Sequence, residues 1–534
     1  MAKYEKREKA IDLSHHLSDL SRAREVSPLK GLARYFGKPG VISLSGGMPS
    51  ADYFPYDNVS ANILAPDSFA LDSNSSSVSW FWRLFGSSTK TQPITVPKYP
   101  TKPDQVNLAT SLQYGTSKGL PQLVDFIKEF VEDVFQPAYS DATVLLQTGN
   151  TDAWSRTVLT LCNRGEMFLT EEWTYPSAIA SSHPYGISPA SVKMDGEGMR
   201  SDDLRQVLAS WNEEERGAKR PHLLYTVPIG QNPSGATMGL QRKKEIYDIC
   251  VEYDIIIVED DPYYFLQEGP YHLKFEREAR SSSTTDTESF FANLAPSYLR
   301  IDYQGRVIRL DTFSKTIAPG SRLGWFTCSP LIAERFERHG ETTAQAPCGF
   351  GQALITQLLI TWGQKNWARW LHGLAVEYTH RRNFLIDSLA EEFHIRKSIG
   401  TQDVWNGLEV YDAYLKPIQN TSGDISEKFD IGTKMFSFVP PTSGMFVWIQ
   451  LHFDNFPSLK DDDDDKTYEM KLWEALAEEG LLIAPGWFFS AHVDQAPPKK
   501  VGNFRIAFSF GDEETMKKST AIIGKVFREF FKDH

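Results

Sequence analysis

The chain is patterned as short apolar runs that alternate with longer, more polar stretches of helical periodicity. Between about residues 106 and 330 the apolar runs are rich in Val, Ile and Leu, which is typical of strands buried on both faces of a parallel sheet. Strands that alternate with helices predict a doubly wound α/β domain. The predicted strands are TVLLQT (143–148), MFLTEE (167–172), HLLYTVP (222–228), DIIIVED (254–260), VIRLDTF (307–313) and LGWFTCS (323–329).

A second, smaller domain is predicted beyond this region. A long helical stretch at about 330–395 leads to the strand-like runs TSGMFVWIQL (442–451) and FRIAFSF (504–510), with an acidic loop and a helix between them. We expect a mostly parallel sheet sandwiched by helices in the large domain and an α+β architecture in the small one. The predicted division is an N-terminal arm with part of the small domain (1–105), a large domain (106–370) and a C-terminal small domain (371–534).

Two segments are predicted to be surface insertions. Residues 65–105 contain a Ser-rich stretch, a short aromatic segment at 80–85 and a Pro-rich run. Residues 268–305 are polar and rich in Ser and Thr. We expect local packing for the aromatic segment, with a membrane- or partner-binding role as the alternative.

Composition and charge exclude several classes of protein. The 534 residues are 41% hydrophobic and 23% charged, which fits a globular protein and excludes disordered and collagen-like chains. The net charge of −13 disfavours general binding to a nucleic-acid backbone. No apolar run reaches the roughly 18 residues of a membrane span. The four cysteines form no C-x-x-C pair, and the N-terminus is polar and charged, so we expect a cytoplasmic protein without disulfides or metal.

Lys315 is the strongest candidate for chemistry. It follows a predicted strand in the segment DTFSK, and Arg322 lies seven residues further on. A lysine at a strand end can be a desolvated amine, nucleophilic at neutral pH. Thr312, Ser314 and Arg322 would surround it, and hydroxyls with a guanidinium suit a phosphate group.

Other candidates follow the remaining strands, at the edge where ligands bind in open α/β sheets. Asp260 and Asp261 follow an apolar strand, where a carboxylate can pair with a protonated ring nitrogen of a cofactor; capping of the next helix is the alternative. Further candidates are Tyr263, Asn232 in PIGQNPSG, the Gly149-Asn150-Thr151 turn at a helix start that could bind phosphate, and Tyr175.

Taken in order, these motifs resemble the fold-type I, class I/II aminotransferases, which use pyridoxal 5′-phosphate (PLP). The resemblance extends over about 25–60 and 106–534 and is strongest to the fungal-type aromatic amino acid aminotransferases and the kynurenine/2-aminoadipate aminotransferases. Its motifs are SLSGGMPSADYFP, LQYGTSKGLPQL, TGNTDAW, PIGQNPSG, EDDPYYFLQ, DTFSKTIAPGSRLGW and NFRIAFS.

The resemblance implies roles around the cofactor ring. Lys315 matches the lysine that binds PLP covalently and moves the proton of the substrate. Asp260 matches the carboxylate on the pyridine nitrogen, and Tyr263 the hydroxyl near the ring oxygen. Asn232 matches the amide that contacts this oxygen and the substrate, and Tyr175 matches the ring that stacks on PLP.

It also implies roles for the phosphate and the substrate. Tyr114 matches a tyrosine that reaches the phosphate from the neighbouring subunit, which implies a homodimer. Arg505 matches the arginine that binds the substrate α-carboxylate, and Gly47 matches a glycine at the substrate edge. The residues that match the phosphate-binding cup are Asn150, Thr151, Thr312 and Arg322.

The phosphate-binding segment and a residue expected near the substrate depart from the family pattern. The cup reads Gly-Asn-Thr where relatives often have Gly-Ser-Gln, which preserves the backbone donors but changes the side chains. Lys30 stands where mammalian relatives have an arginine, which weakens the case for kynurenine. Met48 would pack against the aromatic ring of a substrate, and Lys30 would pair with the distal carboxylate of a dicarboxylic one.

The expected function is transfer of the amino group from Phe, Tyr or Trp to 2-oxoglutarate, with 2-aminoadipate and kynurenine as further candidate substrates. The partners are then amino acids and 2-oxo acids, with no nucleic acid and no membrane. Two alternatives stay open: another PLP-dependent reaction, such as elimination or decarboxylation, and a PLP-domain regulator without activity. Such regulators need an N-terminal DNA-binding domain, and few residues precede the first motif.

Overall fold

The bounds of the strands and helices follow the apolar pattern closely. The computed structural model describes residues 7–28, 39–40, 47–71, 90–278, 285–401, 403–415, 434–456, 466–492 and 500–533. Within these residues the strands are, in chain order, β1 (Asn58–Leu64), β2 (Thr91–Pro97), β3 (Thr143–Gln147), β4 (Met167–Glu171), β5 (Ser188–Val192), β6 (Met194–Asp195), β7 (Gly198–Met199), β8 (Leu223–Thr226), β9 (Ile256–Asp260), β10 (Val307–Thr312), β11 (Gly324–Cys328), β12 (Phe393–Ile399), β13 (Glu409–Leu415), β14 (Lys434–Phe438), β15 (Phe446–His452), β16 (Ala484–Pro485) and β17 (Val501–Ala507).

The helices alternate with the strands of the large domain and cover the C-terminal sheet. The α-helices of the described residues are, in chain order, α1 (Asp19–Ala23), α2 (Leu108–Leu112), α3 (Pro121–Val134), α4 (Asn150–Leu161), α5 (Pro176–Ser182), α6 (Ser201–Ala209), α7 (Glu213–Arg216), α8 (Leu240–Glu252), α9 (Lys274–Glu278), α10 (Thr287–Ala292), α11 (Pro330–Glu341), α12 (Gly349–Glu392), α13 (Tyr468–Glu478) and α14 (Glu513–Asp533).

The large sheet contains, within the described residues, seven strands in the order β3-β11-β10-β9-β8-β4-β5. The neighbours from β10 to β5 pair in parallel, and β11 is antiparallel to both of its neighbours. Only residues 313–323 connect β10 to β11, which is less than the crossover of a dozen or more residues that parallel neighbours need. The predicted mostly parallel α/β domain is therefore confirmed, with β11 as its antiparallel strand.

Alternation along the central strands sends neighbouring side chains into two different cores. Ile256 and Val258 of β9 pack in the core that contains Trp154 of α4. Ile257 of β9 and Val307 of β10 pack in the core on the opposite face. Charged residues at the ends of these strands follow the same alternation, which decides the side of the sheet on which each one lies.

The C-terminal sheet is antiparallel and has the order β12-β13-β14-β15-β17-β16 within the described residues. Helices α13 and α14 pack against one another, and α14 packs on the end of α12, so the predicted α+β domain is confirmed. Helix α12 crosses the predicted boundary at residue 370 and bends at Gly363, which has a φ of 70°. The domain boundaries stay a prediction.

The hairpin within the predicted N-terminal segment (1–105) packs on the large sheet. Strands β1 and β2 form an antiparallel hairpin, and its residues Ile63, Ile94 and Val96 pack in the core of the large sheet. The predicted aromatic segment at 80–85 lies outside the described residues. No helix in the described ranges combines the length and the apolar character needed to cross a bilayer.

A buried ion cluster lies on one face between β9 and β10. Arg309 is fully buried and donates to both oxygens of Asp311 at 2.9 Å. Its Nη1 lies 2.8 Å from Asp261 and 3.1 Å from Glu259, and Lys243 Nζ lies 3.8 Å from Glu259. Two cations thus face three carboxylates, and burial raises the pKa of Asp261.

Replacing Arg309 should destabilise the fold strongly. Arg309→Met would leave buried carboxylates without a partner, so we expect the free energy of unfolding to fall by about 3–5 kcal/mol. The matched control is Arg205→Met, which removes an exposed ion pair with Glu252 and should cost about 0–1 kcal/mol. Urea unfolding measures both, and equal losses in the two variants would contradict this assignment.

Candidate active site

A cavity of about 440 Å³ opens at the carboxyl edge of the large sheet. Because most strands run in the same direction, the residues that follow them converge at this edge. Asp260 is the last residue of β9, Lys315 follows β10, and Asn150 begins α4 directly after β3. The predicted site residues that line the cavity are Asn150, Thr151, Tyr175, Asn232, Asp260, Tyr263, Thr312, Lys315, Arg322 and Arg505.

Asp260 is held in place by two hydrogen bonds, one to each carboxylate oxygen. Asn150 Nδ2 donates to Oδ1 at 2.6 Å, and the Tyr225 hydroxyl donates to Oδ2 at 2.7 Å. Burial raises the pKa of Asp260, and the hydrogen bonds from Tyr225 and Asn150 oppose this change. Each oxygen keeps a further lone pair, so this carboxylate can still accept a proton from a ligand.

Asp261 belongs to a different environment. It lies on the opposite side of the strand, where Arg309 Nη1 contacts it at 2.8 Å. It does not line the cavity. The alternation of side chains along the strand end therefore separates the two adjacent carboxylates, one toward the cavity and one toward the buried ion cluster.

Lys315 lies in the turn after β10 and is partly buried. Burial, and then the positive charge of Arg505, lowers the pKa of its amine. The turn is ordered by a hydrogen bond from Ser314 N to Thr312 Oγ1 at 3.1 Å, and the indole of Trp370 donates to Thr316 O at 2.9 Å. Since deprotonation is easier than for an exposed lysine, this amine is suited to nucleophilic and base chemistry.

The start of α4 and Arg322 lie side by side and offer donors suited to an anion. Gly149 precedes the helix with a φ of 111°, which favours glycine. A Cβ at this position would overlap the Arg322 guanidinium. Only glycine therefore lets that cation approach the N–H groups of the first turn, which bind phosphate well.

Arg505 of β17 brings the small domain into the cavity. Its Nη1 donates to Asn232 Oδ1 at 2.7 Å, and its guanidinium lies 4.1 Å from the Phe446 ring centre and 4.8 Å from that of Phe489. Its Nε is buried and has no hydrogen-bond acceptor in the described part of the chain. A planar cation with a free donor is suited to a ligand carboxylate.

Two predicted residues lie apart from this cavity. Tyr114 is 64% exposed and lines a separate cavity of about 970 Å³ that Met48 and Phe350 also line. Gly47 is exposed and lines neither cavity. Lys30 lies outside the described residues, so its role stays a prediction.

Several residues that support the cavity are not predicted from the sequence. Tyr225 lies within an apolar strand and was interpreted as core, although a buried tyrosine hydroxyl needs a partner. Gln147 Nε2 donates to Asn150 Oδ1 at 3.0 Å and thereby orients the amide that contacts Asp260. Phe446 supplies an aromatic wall beside Tyr263, with the ring centres 5.7 Å apart.

Comparison with known proteins identifies the family. The family model described as aminotransferase class I and II matches residues 101–412. An aromatic amino acid aminotransferase of Schizosaccharomyces pombe is 33% identical over 524 residues, covering 98% of both chains. The chain is a class I and II aminotransferase.

Further similarities support the architecture of this aminotransferase. The crystal structure of the aminotransferase Aro8 from Candida albicans is 33% identical with a TM-score of 0.81, and the match covers 98% of this chain and all of that one. An L-tyrosine:2-oxoglutarate aminotransferase of Tapinella panuoides is 31% identical over 561 residues, covering 98% of this chain and 96% of that one. The fold-type I prediction is confirmed.

Loss of the Tyr225 hydroxyl should change the pH dependence of this aminotransferase. The hydrogen bond lowers the pKa of Asp260, so Tyr225→Phe should raise it. If turnover needs the carboxylate ionised, the acidic limb of the kcat/KM profile moves to higher pH. One hydrogen bond of about 0.5–1.5 kcal/mol corresponds to about one pH unit or less.

The matched control is Tyr247→Phe, which removes a 2.8 Å hydrogen bond to the buried carboxylate of Asp302, a residue that does not line the cavity. This variant should keep the wild-type profile. A profile that moves equally in both variants, or in neither, would contradict the role of Tyr225.

Proposed function

We propose that this aminotransferase moves the amino group of Phe, Tyr or Trp to 2-oxoglutarate, with PLP as cofactor. The observation that carries the proposal is the meeting of Lys315, Asp260 and Arg505 in one cavity. The printed names of the relatives in Schizosaccharomyces pombe and Tapinella panuoides support aromatic donors and, for the latter, 2-oxoglutarate. The cytoplasmic location expected from the sequence stays a prediction.

The residues of the cavity fit PLP in their chemistry. The anion-binding start of α4 with Arg322 would hold the phosphate, and Thr312 would add a hydroxyl. Asp260 would hold a proton on the ring nitrogen. Tyr263 and Asn232 would bind the ring oxygen, and Tyr175 would stack on the ring.

When bound, PLP supplies an electron sink for the bonds at the substrate Cα. Arg505 binds the α-carboxylate in the orientation that places Cα near Lys315. The Lys315 amine removes the Cα proton, and in the second half-reaction it delivers a proton to the carbon of the incoming 2-oxo acid. Its lowered pKa increases the neutral fraction that can act as a base.

The wall of the cavity favours an aromatic donor. Phe446 and Met445 line it beside Arg505, and an aromatic ring and a thioether both pack well against a substrate ring. The cations that the structure describes in the cavity are already assigned to cofactor and α-carboxylate. For the distal carboxylate of 2-oxoglutarate, Lys30 stays the candidate predicted from the sequence.

A donor panel tests the reaction. With PLP and 2-oxoglutarate, Phe, Tyr and Trp should each yield the 2-oxo acid and glutamate in equal amounts, and L-aspartate should react far more slowly. Without an acceptor, product should stop at one equivalent per site, as expected for ping-pong kinetics. Continued release of ammonia or carbon dioxide without an acceptor would instead indicate elimination or decarboxylation.

Lys315 can be tested without relying on turnover alone. Borohydride reduction of the PLP-loaded enzyme, followed by peptide mapping, should place the cofactor mass on the peptide that contains Lys315. Lys315→Ala should lose this adduct and lose transamination by several orders of magnitude. The control Lys525→Ala removes a lysine that pairs with Glu479 on the surface and should change neither. Full activity in Lys315→Ala would refute the proposal.

We also propose a homodimer in which Tyr114 serves the partner's site. Tyr114 is exposed and lines a cavity that does not contain Lys315. Tyr114 therefore does not line the Lys315 cavity of its own chain. This agrees with the sequence resemblance, which implies that Tyr114 reaches the phosphate in the neighbouring subunit.

Mixed dimers test this arrangement. Tyr114→Ala and Lys315→Ala should each lower activity, but a mixed dimer of the two chains rebuilds one complete site from Lys315 of one chain and Tyr114 of the other. Co-expression with two affinity tags should therefore restore up to about half of the wild-type activity per dimer. A mixed dimer no more active than its parents would show that Tyr114 acts within its own chain or not at all.

A further inference from the structure

Three side chains with different metal-ligand atoms meet at the amino edge of the large sheet, opposite the active site. Glu166 directly precedes β4 and His222 directly precedes β8, and these two strands are parallel neighbours. Cys162 directly follows α4, which runs back from the active-site edge over about 18 Å. The candidate ligand atoms of Cys162, Glu166 and His222 all lie within 4.8 Å of one another.

The N-terminal segment adds His16 to this group. Ser18 N donates to Thr160 O at 2.9 Å, and its hydroxyl donates to Leu159 O at 2.7 Å. These bonds dock the segment on the end of α4. As a result, His16 Nδ1 lies 3.0 Å from His222 Nδ1, and His16 Nε2 lies 3.2 Å from Asp254 Oδ1.

These contacts form a chain from Asp254 through His16 and His222 to Glu166. Asp254 accepts from Arg306 at 2.7 Å, and a paired carboxylate can only accept, so the ring proton of His16 lies on Nε2. His16 Nδ1 then faces Nδ1 of His222. The other ring nitrogen of His222, Nε2, lies 3.4 Å from Glu166 Oε2.

The spacing of His222 Nε2 and Glu166 Oε2 suits two ligands of one metal ion. It is longer than a charge-assisted hydrogen bond, which is about 2.7–2.9 Å. Two ligands of a tetrahedral zinc ion, each about 2.0–2.1 Å from the metal, lie about 3.3 Å apart. The observed 3.4 Å agrees with this span, and the Cys162 sulfur, within 4.8 Å of both atoms, is the kind of ligand that zinc prefers.

The geometry points to a divalent-metal site formed by Cys162, Glu166 and His222, with zinc as the preferred ion. A thiolate and a carboxylate would neutralise its two charges. His16 and Asp254 would orient His222 through its other nitrogen, as partners of metal-bound histidines commonly do. The ion would thereby join the N-terminal segment to the end of α4 and the start of β8.

The neighbouring group of His15, His16 and Asp254 is a weaker candidate. Both oxygens of Asp254 are already in contact with donors, Oδ1 with Arg306 and His16 and Oδ2 with His15 at 2.6 Å. A cation there would have to displace a guanidinium. We therefore assign His16 and Asp254, and not His15, to orientation of His222.

Metal titration of the PLP-loaded enzyme tests the site. After treatment with a chelator, the wild type should bind one Zn²⁺ per chain in calorimetry, and Co²⁺ should produce the visible bands of a tetrahedral thiolate complex. Cys162→Ser and His222→Asn should lose this stoichiometric site, and His16→Phe should bind about 10–100-fold more weakly. The controls Cys348→Ser, which removes an exposed thiol, and His15→Gln should bind like the wild type.

Aminotransferase turnover reports whether each variant is folded, because the proposed site lies at the opposite edge of the sheet. The wild-type titration does not depend on any variant, so absence of a stoichiometric ion in it would overturn the proposal. Undiminished binding in both Cys162→Ser and His222→Asn would overturn it as well. Loss of the ion in His15→Gln alone would place it on the neighbouring group instead.

Discussion

The parallel direction of the central strands is the constraint on which the rest of this structure depends. Leu310 of β10 pairs with Asp260 of β9, so the chain leaves both strands at the same edge, and Lys315 and Asp260 reach one cavity from separate parts of the sequence. The helix that begins at Asn150 starts at this edge too, and it supplies N–H groups for an anion. A sheet with reversed neighbours would have placed these residues at opposite edges.

Strand geometry also organises what lies around the site. Alternation along β9 directs Asp260 to the cavity and Asp261 to Arg309, so the carboxylate of the site and the buried ion cluster share one strand without sharing contacts. At the amino edge, Glu166 and His222 come together because they precede β4 and β8, which are parallel neighbours. The two edges thus hold separate chemistry, the proposed cofactor site at one and the proposed metal site at the other.

Much of this arrangement could be predicted from the sequence. Apolar runs located the strands, and the polar residues after them located most of the cavity, because strand direction converts order along the chain into proximity. Tyr225 was missed because a tyrosine inside an apolar run gives no sign of its hydroxyl partner. The contact of Arg505 with Asn232 depends on how the small domain packs on the large one, which no local pattern encodes. The cluster at the amino edge was missed because His222 lies 56 residues after Glu166, and the short spacing of Cys162 and Glu166 matches no motif.

We propose that strand alternation makes Asp260, and not Asp261, the carboxylate that would hold a proton on the ring nitrogen of bound PLP. The most direct measurement is the ¹⁵N NMR shift of the ring nitrogen in enzyme loaded with ¹⁵N-labelled PLP, compared in the wild type, Asp260→Asn and Asp261→Asn. The account predicts a protonated nitrogen in the wild type and in Asp261→Asn, and an unprotonated nitrogen in Asp260→Asn. A nitrogen that stays protonated in Asp260→Asn and loses its proton in Asp261→Asn would contradict it.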